Sequence, residues 1–406
     1  MNIIVPRMSI GSWVKFEFLD ENDRPTYALN ADTGERVWGE WWYPNLITDQ
    51  GLDGLATVNS ISDSFGTVGT SRGNNPGIRT YLGLFTGSLN VKRPSGSITL
   101  AQSGTTVTAS AAFFQSGDVG SEIVWDNATR AKITAFTSAT SVNVADSKAV
   151  SAAPAMVYAV GVTSVPSEVQ NGNSDGGFTG SATTYTSGND LVYECTIPTV
   201  ITLNNNQNLT GFRFGPSTTN SAHIIENFRD VSGNPITVSI LAGKKVRVDH
   251  KLQLRIASVA QPANINLLDY DAANNLINTI PLTAQYKARW PSPNIGLFTS
   301  PLNPAGNFGN VSLAANTETL DSINWTRVNC SLQLDSYTLG SFQRKKIITV
   351  AESDGNGTWI GFSLEYGGGT MGNFSGVRTI VTPGFTKNNT QQMTFTFQLS
   401  WGREYV

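Results

Sequence analysis

The chain has 406 residues, a net charge of −3, two histidines and two cysteines, and only 14% of its residues are charged. A usual globular chain carries about 25% charged residues; here Ser, Thr, Asn and Gly fill the gap, which suits an assembled or extracellular protein better than a cytosolic enzyme. The densest cationic run is Arg344-Lys345-Lys346, which argues against a nucleic-acid partner, and no apolar stretch is long enough for membrane insertion.

The length predicts two to three domains. The opening from Met1 to Arg7 is too short and too soon interrupted for a secretory signal, so release by lysis or within a particle is the expectation. Residues 14–18 alternate Val14, Phe16 and Phe18 with Lys15 and Glu17, the period of a strand with one wet face. Turn chemistry follows at 20–25 and 30–34. Next come Trp38, Trp41, Trp42 and Tyr43. Aromatics concentrated in this way anchor interfaces, stack on sugars or plug a core; the four are candidate interface residues. Thr48 is a candidate N-cap for a helix reaching about residue 58, with Leu52, Leu55 and Ala56 on one face and Gly51 and Gly54 interrupting it.

Residues 91–165 are rich in small side chains. Within them, 122–125 and 131–136 read as two strands joined by 126–130, and 140–144 adds a third. Three short strands bury little, so this module should lean on a neighbour or a symmetry mate. Residues 169–177 read as a loop or linker. Alternation then returns at 191–195, 236–240, 245–256 and 393–401, and Asp354-Gly355-Asn356-Gly357 and Pro383-Gly384 supply further breaks. Many strands with such punctuation predict an all-β protein of antiparallel sandwich or barrel domains. No internal repeat supports a solenoid, propeller or β-helix. The expected organisation is an aromatic-rich segment (1–90) belonging to the main sandwich, a small β-module (91–165) inserted in it, and the main sandwich region (178–406).

Catalytic and metal chemistry finds little support. His250 lies on the apolar parity of its strand between Val248 and Leu252 and reads as a core histidine; His223 has no evident partner. Cys195 and Cys330 are too isolated for a zinc site or a disulfide framework, and Cys330 reads as a buried thiol acting as a small hydrophobe. Gly367-Gly368-Gly369-Thr370-Met371-Gly372 fits G-x-G-x-x-G. Strand-like residues follow it, and Gln392 stands where a dinucleotide site needs an acid, so a hairpin tip is the better reading. Glu35, Glu40, Asp230, Glu352 and Asp354 are carboxylates that a glycan-cleaving enzyme would need in pairs, and nothing in the sequence pairs them. The stretch 171–177 offers a single carboxylate, so a plain loop outweighs a calcium site. The expectation is a non-enzyme with no catalytic residues, no cofactor and no metal.

Three passages carry a resemblance. Asn45-Leu46-Ile47-Thr48-Asp49-Gln50-Gly51-Leu52-Asp53 resembles a phrase near the N-terminus of many phage tail and minor structural proteins. Phe113-Phe114-Gln115-Ser116-Gly117-Asp118-Val119-Gly120-Ser121-Glu122-Ile123-Val124-Trp125, continuing through 131–144, is similar to a small β-module of phage fibres, spikes and tails. Thr394-Phe395-Thr396-Phe397-Gln398-Leu399-Ser400-Trp401-Gly402-Arg403 resembles the close of such proteins. The resemblance implies a structural component of a tailed-bacteriophage virion, made in the bacterial cytoplasm and built into the tail at its tip, baseplate or fibre attachment. Head decoration, a neck or collar role, and a host-receptor or glycan-binding module are the alternatives. The partners implied are copies of the chain itself (a trimer or a ring), other virion proteins and a host surface glycan.

Overall fold

A computed structural model describes residues 7–57, 81–172, 181–215, 222–271, 273, 275–289, 310–315, 319–320, 325–334, 336–366 and 375–405. The described chain is nearly all β, with antiparallel sheets, as its alternating patterns predict. The strand Arg7–Leu19 is central to the largest sheet. It pairs antiparallel with Lys245–Ala257 along its length, from Met8 opposite Ile256 to Leu19 opposite Lys245. Its first residues pair in parallel with the end of Gln392–Arg403, Arg7 opposite Ser400 and Ile10 opposite Arg403. Asp190–Thr202 flanks Lys245–Ala257 on its other side. Beyond Gln392–Arg403 the sheet continues through Gln261–Tyr270, Leu276–Arg289, Ser375–Lys387 and Gly357–Tyr366.

Period-two alternation decides which side chains go inward. Val14, Phe16 and Phe18 are buried, as are Val246, Val248, Leu252 and Leu254. They pack on a five-stranded sheet ordered Glu168–Gly172, Tyr81–Phe85, Gly211–Gly215, Ile224–Asn227 and Leu46–Ile47. Phe228, just after one of those strands, meets Phe16 edge-on at 5.0 Å and Phe212 at 5.5 Å. A four-stranded sheet (Gln207–Leu209, Val238–Ile240, Ala28–Asn30, Arg36–Val37) adds Ala28, Leu209, Val238 and Ile240 to the same core.

The small β-module is larger than three short strands. It has six, ordered Lys92–Pro94, Met156–Tyr158, Glu122–Val124, Arg130–Ser138, Ser141–Ala153 and Leu100–Ala109. Leu100, Val107, Ile123, Ile133, Val142 and Val157 give it a core of its own. Lys92–Pro94, Leu100–Ala109 and Met156–Tyr158 are the three strands beyond those expected; two are only three residues long, and Leu100–Ala109 is mostly Ser, Thr, Gln and Gly, so little apolar alternation marks them. A second apolar cluster, with Val91, Val124, Tyr158 and Val160 beside Leu46, Phe85 and Ile225, joins the module to the five-stranded sheet.

The helix Asp49–Thr57 forms where expected, with Thr48 Oγ1 accepting the Gly51 N–H at 3.1 Å. Gly51 marks a close approach: a Cβ there would stand 2.2 Å from the His223 carbonyl oxygen. Pro383-Gly384 does not end a strand but lies inside Ser375–Lys387, beside a register shift between Trp359 and Gly361. The expected linker begins as strand, Glu168–Gly172, and its residues 173–177 fall outside the described residues, as does the glycine-rich stretch 367–372.

One glycine carries a buried ion pair. Arg213, fully buried, donates to Glu168 from Nε at 2.6 Å and Nη2 at 2.9 Å. Their strands flank Tyr81–Phe85 on opposite sides, so the pair closes over Gly83. A Cβ at Gly83 would meet Arg213 Nε at 2.5 Å and Glu168 Oε2 at 2.6 Å. Gly83→Ala should therefore break the pair and cost about 3–5 kcal/mol. Thermal melting measures this; an unchanged midpoint would mean that the pair can move aside.

Candidate functional site at the module seam

The aromatic segment is divided by its backbone. Gly39 (φ +80°) and Glu40 (φ +81°) are both left-handed, and the Glu40 N–H donates to the Phe16 carbonyl at 2.9 Å. A Cβ on Gly39 would lie 2.0 Å from that oxygen. Past this kink, Trp41 turns edge-on to Phe16 at 5.8 Å. Tyr43 is buried, and its hydroxyl donates to the Asn227 carbonyl at 3.2 Å. Burial, then the charge of Glu226, holds the Tyr43 phenol well above its usual range. Trp38 and Trp42 stay at the surface, 44% and 39% exposed. Trp38 leans on Tyr27 (ring centroids 5.5 Å apart), while the Lys251 ammonium stands 4.5 Å from the Trp42 ring. The structure thus buries Tyr43, packs half-buried Trp41 against the core and leaves Trp38 and Trp42 as the exposed members of the quartet.

A denser constellation lies where the module meets the rest of the chain. Arg403, 6% exposed, donates from Nε to the Ile47 carbonyl at 2.6 Å and from Nη2 to Asp49 Oδ1, and its Nη1 is 3.7 Å from Glu122 Oε2. The Tyr405 hydroxyl donates to Glu122, and Lys132 donates to Asp49. Tyr405 and Asn127 exchange two hydrogen bonds of 2.8 Å, amide to backbone in both directions. Trp401 Nε1 donates to the Leu52 carbonyl at 3.0 Å, and Tyr337, stacked on Trp401, donates to Asp53. On the other side of the module, fully buried Glu226 accepts from Arg229 at 2.8 and 3.1 Å and lies 2.9 Å from Lys92 Nζ. Burial holds the Lys92 ammonium below the usual lysine range, against the pull of Glu226.

No charge pattern in the sequence flagged these groups, because their partners come from distant segments. One signal was available: Arg403 continues the buried parity of Met393 and Trp401 in a strand that otherwise places apolar residues there. The five carboxylates named from the sequence fall in three places. Asp230 accepts the N–H groups of Ser232 and Asn234 in its own turn, and Glu35 and Glu40 are exposed elsewhere. Glu352 and Asp354 share one turn beside buried Lys387, whose ammonium donates to the Glu352 carbonyl at 3.0 Å and to Asn356 Oδ1 at 3.1 Å. Among the described residues, no three His, Cys, Asp or Glu side chains are grouped to hold a metal ion. Cys195 is buried, Cys330 only partly so, and the two are not bonded to each other. Cys330 falls between Thr326–Asn329 and Ser331–Leu334, where strand alternation no longer fixes its burial.

His250 is the core histidine its parity implies: fully buried, with Nε2 2.7 Å from Ser12 Oγ and its ring 5.3 Å from Phe214. His223 is also buried, and burial, followed by the Arg213 charge, lowers its pKa from 6.5 to about 4. The unfolded chain therefore takes up a proton near pH 6.5 that the folded chain refuses until about pH 4. His223 leaves stability intact above pH 6.5 and removes about 3 kcal/mol as pH falls to 4. In melts across that window, His223→Gln should show a shallower acid loss than the parent chain; parallel curves would contradict this origin. Arg403→Leu, which leaves Asp49 and Glu122 facing an apolar group, should cost about 3–5 kcal/mol and speed limited proteolysis between module and main sheet. Wild-type proteolysis and melting would show that the seam does not depend on Arg403. No protein-family model, curated protein or solved structure matches the chain.

Proposed function

We propose that the chain is a non-catalytic structural component of a tailed-bacteriophage virion, built into the tail at its tip, baseplate or fibre attachment and working as an assembly of its own copies. The observation that carries this reading is the convergence of the three passages that resemble virion proteins. Asp49 and Leu52 come from the first, Glu122 and Lys132 from the second, and Trp401 and Arg403 from the third; all meet at one seam. Leu52 and Trp401, 349 residues apart, are hydrogen-bonded directly, which supports reading the resemblance as a unit and not as three chance likenesses. In this reading the seam fixes the module's direction, so that identical copies present it alike around a closed symmetry axis. Trp38 and Trp42 are the exposed aromatic groups that a neighbouring copy or another virion protein would cover.

Light scattering after size exclusion tests the assembly directly. The expected mass is three or more times the 43.5 kDa chain, a trimer or a ring. A monomer that persists as concentration rises would overturn self-assembly. Antibody labelling of intact particles should place the chain on the tail; label on the head surface would move it to a decoration role.

A further inference from the structure

We infer that the cleft beside the module seam is a binding site for a neutral saccharide. The cleft encloses ≈ 390 Å³, within the range of about 300–1,000 Å³ usual for small-ligand sites. One wall is the loop 115–121 with its short 3₁₀ turn Ser116–Asp118; the other is the segment 88–93. A second hollow of ≈ 220 Å³ lies across the Ser88–Asn90 ridge, with Thr210, Asn227 and Thr237 on its walls. The two hollows share Ser88, Leu89 and Asn90 as lining.

Its walls are held in place before any ligand arrives. Arg93 Nη2 donates to Asp118 at 2.5 Å, and the guanidinium lies 4.6 Å from the Phe113 ring. Asp118 also accepts the Gln115 N–H at 2.8 Å, closing the loop. Gly120 and Gly161 pass so closely that a Cβ on Gly161 would stand 2.7 Å from the Gly120 carbonyl.

The lining selects the ligand class. Arg93 and Asp118 cancel one another's charge, so a phosphate, sulfate or polyamine would enter without a counter-charge. Ser88, Asn90 and Ser121 line the cleft, and their side chains make no hydrogen bond among the described residues. Hydroxyl and carboxamide groups both donate and accept, as the hydroxyls of a sugar require. Val157, Ala159 and Val162 offer apolar contact to the C–H face of a ring. Trp42, by contrast, already holds the Lys251 ammonium over its ring, which disfavours it as a sugar platform. This inference goes beyond the virion reading and does not need it: the mass measurement and the binding measurement fail separately.

Saturation-transfer NMR on the full chain tests it, with maltose, cellobiose, lactose, chitobiose and N-acetyllactosamine as probes. At least one should receive saturation. Gly117→Trp should abolish the transfer by setting an indole at the cleft wall; a Cβ at Gly117 meets nothing within 4 Å, so the substitution does not disturb the core. Asn90→Ala should weaken binding about tenfold, the loss of one hydrogen bond, while Trp42→Ala should leave it unchanged. The Asn90→Ala titration decides alone if Gly117→Trp melts early. Silence from all five probes, transfer that survives Gly117→Trp or is lost in Trp42→Ala, or tighter binding of sulfated or phosphorylated analogues would each overturn the inference.

Discussion

A single guanidinium holds the fold's parts in register. Arg403 reaches the carbonyl of a strand in the five-stranded sheet, the first carboxylate of the helix and a carboxylate of the module, all from the end of Gln392–Arg403, a strand inside the main sheet. Burying a cation is costly unless every contact is made. Such a set of paired charges adds little net stability over an apolar set of the same shape, yet removing one member, or displacing its partners, leaves buried charge uncompensated. The reciprocal bonds between Tyr405 and Asn127 extend the same restraint beyond the strand's end. The module's orientation is therefore set by directional contacts, which slide less readily than apolar surfaces alone.

A second set of buried charges restrains the module from the opposite side. Glu226 ties Lys92, in the first strand of the module, to Arg229 at the end of the five-stranded sheet. Next to it, Arg93 and Asp118 tie the first strand to the 115–121 loop. Arg93 and Asp118 also line the cleft, so the pair that ties the loop to the first strand shapes the cleft wall. Rigidity at a binding surface lowers the entropy lost on binding, and here it comes from contacts that the fold needs in any case.

The strands were largely legible because their alternation is strict. Val246 to Ile256 could be assigned to a face residue by residue, and His250 was placed correctly by parity alone. Backbone geometry and distant contacts leave no such local mark. Nothing local announces that Gly39 and Glu40 are both left-handed, and that kink is what sends Trp41 and Tyr43 inward while Trp38 and Trp42 remain outside. Gly51 looked like a helix interruption, whereas its missing side chain lets the helix approach the His223 carbonyl. The seam charges were invisible for a different reason. Arg403, Asp49 and Glu122 each sit among ordinary neighbours, and only folding supplies the partners; the one clue was an arginine on the apolar parity of a strand.

The low charge content gains a physical meaning from where those charges lie. Arg213, Glu226, Arg229, Asp118 and Arg403 are all spent on buried or nearly buried pairs. Much of the module's outer surface is left to Ser, Thr, Asn and Ala, as in Leu100–Ala109 and Ser141–Ala153. Two identical surfaces brought together repel as the square of the net charge each carries, and long charged side chains lose entropy when they are immobilised at a contact. A surface of short neutral side chains reduces both costs at once. Concentrating charge in buried pairs thus leaves the module an exterior of short neutral side chains.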